Sequence, residues 1–291
     1  MGALAKLGVQ LSLFQIKKRG FLGYLKYLKP LKAIIKQYMP DIIHAHYGFS
    51  GLLANLQWSV PVVTTFHGSD INNPKALRYS KWAHKLSIVS IFVEKNMVQK
   101  VGKKAKCHII PCGVDTSLFY SVSKNEALDR LHLKTEYPII LFSSAFNNPV
   151  KNYRLARKSC KQVEDQIGKK INLVEFKDFS REEVNLLMRV SDCVLLTSFS
   201  EGSPQIIKEA MACNCPIVST DVGDIKWILG NTDGCFVTSF DIKDVARNII
   251  KALEFGKRTN GFNRIFELEL DSENVAKKIL RIYLEVVNTK I

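Results

Sequence analysis

Short apolar runs alternate along this chain with longer stretches in which apolar residues recur every third or fourth position. Runs of the first kind predict buried strands, and stretches of the second predict amphipathic helices. Strands are predicted at 9–13, 41–45, 60–65, 87–93 and 107–110, and again at 138–143, 171–175, 193–197, 216–219 and 235–237. Helices are predicted at 23–37, 94–103, 152–166, 181–189, 204–213, 242–255 and 272–287. The alternation in both halves predicts an α/β protein of two Rossmann-like, doubly wound parallel-sheet domains. Facing each other across a cleft, they would bind a ligand at the ends of their strands. The polar segment SVSKNEALDRLHLKTEY (121–137) separates the halves, giving domains over 1–120 and 121–271 and a closing helix over 272–291.

Charge divides along the same line. Of the formal net charge of +15, almost all lies before residue 120. A one-sided positive charge points to an anionic partner: nucleic acid, an acidic membrane or a phosphorylated substrate. Zinc-finger spacing, aromatic RNA-binding strands and a basic recognition helix are all missing, which argues against nucleic acid. Between Gly20 and Met39, Lys26, Lys29, Lys32 and Lys36 recur among Leu, Tyr and Ile at helical spacing, beside Lys17, Lys18 and Arg19. Such a stretch can lie on an acidic membrane surface or pack its apolar side inward, and the two are compatible. Pro30 should kink it or end one segment. Nothing reads as a cleaved leader or a membrane span. The seven cysteines are odd in number and sit mostly in apolar runs, as reduced, buried thiols do, and Cys213-x-Cys215 alone is no metal motif.

The richest stretch is SEGSPQIIKEAMACNCPIVSTDVGD (200–224). A strand ends before it, and Pro204 suits the first turn of a helix whose apolar stripe is Ile206, Ile207, Ala210 and Met211. Gln205, Lys208 and Glu209 fall on the other side. Glu209 lies one turn past Gln205 and close below the helix start, while Glu201 stands in front of it. A helix N-terminus attracts an anion, and carboxylates beside it accept hydrogen bonds from hydroxyls. A phosphate between two polyols describes a nucleotide sugar. Spacing alone leaves open a plainer arrangement, with Glu201 capping loop N–H groups and Glu209 solvated. Gly202, where a ligand can approach the backbone, leans toward the first.

EGSPQIIKEAMACNCPIVSTDVGD resembles the E-x7-E signature of the retaining, nucleotide-sugar-dependent glycosyltransferases of family 4, which have the two-domain GT-B fold. PDIIHAHYGFSG (40–51), VPVVTTFHGSD (60–70), IIPCGVDTSLF (109–119) and VKNYRLA (150–156) follow the family's order, so the resemblance covers almost the whole chain. It implies that Glu201 contacts donor-sugar hydroxyls, that Glu209 holds the ribose, and that the N–H groups of Ser203 and Gln205 face the diphosphate. Lys151 would neutralise the leaving diphosphate. An arginine usual shortly before that lysine is missing from SSAFNNP, where Asn147 or Asn148 would substitute through neutral bonds. His67 would orient sugar and acceptor, Asp70 would bind an acceptor hydroxyl, and His46 would line the acceptor side. The resemblance implies neither metal nor cofactor beyond a UDP- or GDP-sugar donor.

The resemblance further implies a hexosyltransferase acting on a glycan or lipid-linked acceptor in bacterial surface polysaccharide synthesis. It would be cytoplasmic and peripheral at the inner face of the plasma membrane. Relatives open with a strand and glycine-rich loop, whereas this chain is expected to begin later, with GALAKLGVQLSLF as the tail of a helix and the strand after it. On that expectation the first domain is one strand short and exposes a sheet edge. The alternative function is then a truncated, inactive relative that only binds nucleotide.

Overall fold

A computed structural model of the chain describes residues 2–18, 20–102, 105–120, 122–134 and 136–289, the side chain of Phe21 excepted. Arg19 of the basic stretch and Lys103 of the predicted helix 94–103 lie outside the described residues. The chain divides into two units, one running to Gly113 and resumed by the helix Ser272–Asn288, the other Val114–Asp271. The division falls ahead of the polar segment 121–137. Val114 donates its N–H to Leu270 O at 2.8 Å, and Val114 and Phe119 are already buried in the second unit's core.

The first unit holds a parallel sheet of β1 (Ile43–His46), β2 (Val62–Phe66), β3 (Val89–Phe92) and β4 (Cys107–Ile109), in that order. One face packs Phe66, Phe92, Ile71 and Met97. The other packs Val63, Val89, Ile91 and Ile110 against Val275, Ile282 and Val286 of the returning C-terminal helix. The strand predicted at 9–13 does not form. No strand pairs with it, Leu11 and Leu13 are exposed, and the following Phe14 and Ile16 pack on Leu31, Ile35 and Leu53 instead. Pro30 falls in the first turn of the helix Leu28–Tyr38, after a separate short helix Phe21–Leu25, so its missing N–H costs no helical bond.

Two helices passed over by the periodicity, Gly48–Asn55 and Pro74–Leu86, pack against each other and against the sheet. The second carried a readable start: Asn73 accepts from Lys75 N and Pro74 takes the first helical position. The first has no side-chain cap. It begins with glycine because Gly48 lies against Ser80, where a Cβ would come within 2.0 Å of Oγ.

The second unit is a five-stranded parallel sheet of β5 (Ile139–Phe142), β6 (Asn172–Glu175), β7 (Cys193–Leu196), β8 (Ile217–Thr220) and β9 (Cys235–Thr238), in the order β6-β5-β7-β8-β9. Alternate residues serve opposite faces: Leu141, Val194, Leu196 and Ile217 join one cluster, and Ile140, Phe142, Cys193 and Leu195 the other. Both faces are covered, which is why these strands read as continuous apolar runs. The chain winds outward from β5 to β6 and then returns to pair β7 with β5. The carboxyl ends of β5 and β7 therefore flank the point where winding reverses, the usual ligand crevice of such sheets.

Candidate donor and acceptor-side sites

The loops after β5 and β7 meet at that reversal. Thr197 Oγ1 donates to the carbonyls of Lys151 and Asn152 at 3.0 and 3.1 Å, and Phe199 N donates to Val150 O at 2.9 Å. These bonds fix the turn Pro149–Lys151 beside the loop that carries Glu201. Lys151 Nζ lies 2.6 Å from Glu201 Oε1, with both side chains largely covered. A charge pair across two loops was not readable from a spacing of fifty residues. Asn148 is occupied in shaping the turn: its Oδ1 accepts from Val150 N at 3.2 Å. Asn147 is exposed. Asn152, in the left-handed region at φ 53°, caps the helix Tyr153–Ile167 by accepting from Leu155 N.

Gly202 is buried, and its carbonyl accepts from Asp224 N at 3.2 Å. Gly223, at φ 62°, is what permits this approach, since a Cβ there would stand 2.2 Å from Gly202 O. Pro204 sits at the N-cap, one residue earlier than expected, and the helix runs Gln205–Ala212. Every residue from Ile206 to Ala212 is buried, so the two-sided helix read from the sequence is covered on both sides. Lys208 and Glu209, placed on its polar side, are 0% and 3% exposed. This overturns the solvated reading of Glu209. Its Oε1 accepts from Arg181 Nη1 at 2.6 Å, and Arg181 is itself mostly exposed. Burial pushes the Glu209 carboxyl above the usual range, against the opposing pull of Arg181. Arg181 was not singled out in the sequence: it opens a helix whose evident signal is the capping box of Ser180 and Glu183.

In the first unit the ends of β1 and β2 bring the histidines together. His44 and His46, two apart on a strand, share a face and stack at 4.6 Å. His46 Nδ1 and His67 Nε2 are 2.8 Å apart, and His67 Nδ1 faces Cys112 Sγ at 3.6 Å. His44 is wedged between Tyr283 OH at 2.5 Å and Thr65 Oγ1 at 2.7 Å. Burial, reinforced by the neighbouring His46 and His67, lowers its pKa to about 3, so the ring is neutral. Tyr283, on the C-terminal helix, was not foreseen. Asp70 is 4% exposed, and its carboxylate accepts from Gly48 N, His67 N and Gly68 N at 2.9, 3.0 and 3.0 Å. It ties the loops after β1 and β2 together. Burial raises its pKa although these bonds favour the charged form.

Among the described residues no group of three or more His, Cys, Asp or Glu is placed to hold a metal ion. Described cysteines are all free thiols, and burial pushes Cys213 to about 12 and Cys215 to about 11.

Lys151 and Glu201 thus meet at the topological switch point of the second unit, and comparison with known proteins gives the class. The model of Glycosyltransferase Family 4 matches residues 6–118, and that of Glycosyl transferases group 1 matches residues 151–254. The chain is 25% identical to an uncharacterised glycosyltransferase of Methanocaldococcus jannaschii, over 93% of this chain and 82% of that one. It is 24% identical to a Bacillus subtilis protein named for teichuronic acid biosynthesis, TuaC, over 72% of this chain and 62% of TuaC. It is 22% identical to the amylovoran biosynthesis glycosyltransferase AmsK of Erwinia amylovora, over 74% of this chain and 62% of AmsK. The chain thus spans about three-fifths of the last two. Among solved structures, sucrose-phosphate synthase from Thermosynechococcus elongatus superposes with a TM-score of 0.78 at 18% identity, over 95% of this chain and 81% of that one. Anabaena HepE, solved with UDP, gives 0.72 at 17% identity, over 98% and 88%. The fold is GT-B, and the chain belongs to the family 4, group 1 glycosyltransferases.

Proposed function

We propose that this glycosyltransferase moves a hexose from a UDP- or GDP-sugar, with retention of anomeric configuration, to a glycan or lipid-linked acceptor in bacterial surface polysaccharide synthesis. The observation that carries the reading is the Lys151–Glu201 pair, 2.6 Å apart at the switch point of the second unit. HepE's complexes with UDP and UDP-glucose support the donor class, and the names of TuaC and AmsK support the acceptor class.

In this reading the anomeric carbon–oxygen bond to the diphosphate breaks as the acceptor hydroxyl oxygen bonds to that carbon, and the hydroxyl's proton passes to an oxygen of the departing diphosphate. The electron pair ends on the diphosphate, where Lys151 meets the growing charge without a metal ion. Glu201 accepts from donor-sugar hydroxyls. Glu209, a buried carboxylate, accepts from the ribose diol, whose hydroxyls replace the water that burial has removed. The N–H groups of Ser203 and Gln205 face the diphosphate at the helix start, and His67, in the first unit, serves the acceptor.

The basic stretch supports work on an acidic lipid surface at the inner face of the plasma membrane. Leu31 and Ile35 are buried while Lys29, Lys32 and Lys36 are exposed, so the helix Leu28–Tyr38 packs inward and still presents a row of cations, with Lys26 exposed just ahead of it. Among the described residues no helix is long and apolar enough to cross a membrane.

Calorimetric titration with UDP, GDP and a panel of their sugars, on wild type and Glu209→Ala, tests the donor site. Selective binding that the variant loses is expected. Folded wild-type protein that binds none of them would sink the reading, and donor binding without transfer to any acceptor would leave a nucleotide-binding relative.

A further inference from the structure

Lys208 is a complete lysine side chain with no exposed surface, among the largest fully buried side chains in the molecule. It lies on the fourth residue of the helix Gln205–Ala212 and reaches back toward the helix start. Its Nζ donates to Ser203 Oγ at 3.0 Å.

The polarity of that contact is fixed by chemistry. An ammonium has three donors and no acceptor, so Ser203 Oγ is the acceptor. The hydroxyl's single proton must then point away from Nζ, and among the described residues no group accepts it. Ser203 is half-buried, two residues after Glu201 and two before the first helical residue. Its O–H therefore sits in the same loop as the Lys151–Glu201 pair, just before the helix begins. A hydroxyl that accepts from a cation is polarised toward donating, so it becomes a stronger donor to an anion.

We infer that Lys208 is a positioning residue for the diphosphate: from beneath the loop it orients and polarises the Ser203 hydroxyl as a donor to a phosphate oxygen. The inference rests on the donor-site reading proposed above. It gives the diphosphate a second source of positive charge besides Lys151, transmitted through a neutral side chain. It also accounts for a long cation, where an apolar residue would fill the same space without desolvating a charge.

The test is calorimetry on the full chain with UDP and GDP, using wild type, Lys208→Met, Ser203→Ala, the double variant and Ser203→Thr. For whichever diphosphate binds, each of Lys208→Met and Ser203→Ala is expected to weaken affinity about tenfold. The double variant is expected to be no weaker than either single one, because both break one relay. Ser203→Thr, which keeps a hydroxyl, is expected to stay close to wild type. Wild-type affinity in Lys208→Met, or losses that multiply in the double variant, would overturn the relay while leaving the donor site standing. Should Lys208→Met fail to fold, the serine pair decides: loss in Ala with retention in Thr supports the relay, and equal binding by all three proteins refutes it. A folded wild type that binds neither nucleotide overturns the donor-site reading and this inference with it.

Discussion

Asp70 and Glu209 are both acids buried beside strand ends, and burial raises the pKa of each, yet they are held differently. Asp70 takes three backbone N–H groups of its own loops. Glu209 takes one arginine whose other end is in solvent. Backbone donors cannot leave without unfolding the loop, whereas an exposed arginine can be exchanged for a ligand's hydroxyls. On the proposed function, the kind of partner rather than burial alone sets the binding carboxylate apart. The same contrast separates His44, locked between Tyr283 and Thr65, from Lys151 and Glu201, which partner each other across two loops.

The sharpest way to break this contrast is to remove an exchangeable group and a fixed one in turn. Lys151→Met should lower kcat about a thousandfold, about 4 kcal/mol of lost charge stabilisation, with the melting temperature little changed. Steady-state transfer assays beside thermal melts would show it. Asp70→Ala should do the reverse in kind, stranding three N–H groups and costing the first unit about 3 kcal/mol in urea unfolding. A full-stability Asp70→Ala protein would remove the distinction drawn above.

Glu209→Ala should weaken nucleoside diphosphate binding by about 30-fold, or about 2 kcal/mol, without destabilising the second unit, since it removes a poorly solvated charge. A large fall in melting temperature would make Glu209 a structural group like Asp70.

The histidine contrast can be read by pH. His44 stays neutral in the folded unit down to about pH 3, whereas the unfolded chain takes up a proton below pH 6.5. The unfolded state thus binds more protons in that window, and stability from this group falls as pH drops through it, by up to about 1.4 kcal/mol per pH unit. Asp70, raised by burial, acts with the opposite sign, so the difference in urea midpoints between wild type and His44→Gln isolates the histidine. Parallel pH profiles for the two proteins would contradict it.

Per residue, the smallest effect concerns the outward lysines. Replacing Lys29, Lys32 and Lys36 with Glu should abolish sedimentation with anionic vesicles at low salt, at about 1 kcal/mol per lysine, and leave donor binding unchanged. Equal sedimentation of both proteins would remove the membrane reading.

How much of this was legible beforehand differs by unit. In the second, every strand was foreseen, because a sheet covered on both faces writes itself as apolar runs such as IILF and CVLL. In the first, the run 9–13 is apolar at alternate positions but has no strand partner among the described residues, and residues 10–13 are exposed, so water rather than a neighbouring strand meets its N–H and C=O groups. The helix Gly48–Asn55 escaped because close packing on Ser80, not a cap or a stripe, chose its first residue.

For the site, the sequence by itself determined which residue types were available and which loops carried them. Glu201, Glu209 and Lys151 were identified through ordered motifs, and Glu209's place one turn below the helix start followed from helical geometry. Only the tertiary structure decided what each group faces. It paired Lys151 with Glu201 across fifty residues, brought Arg181 to Glu209, buried Lys208 under Ser203 and turned Asp70 onto its own backbone. The reason is physical: local periodicity fixes the direction of a side chain within its element, whereas burial and hydrogen-bond partners are set by the order in which distant strands come together.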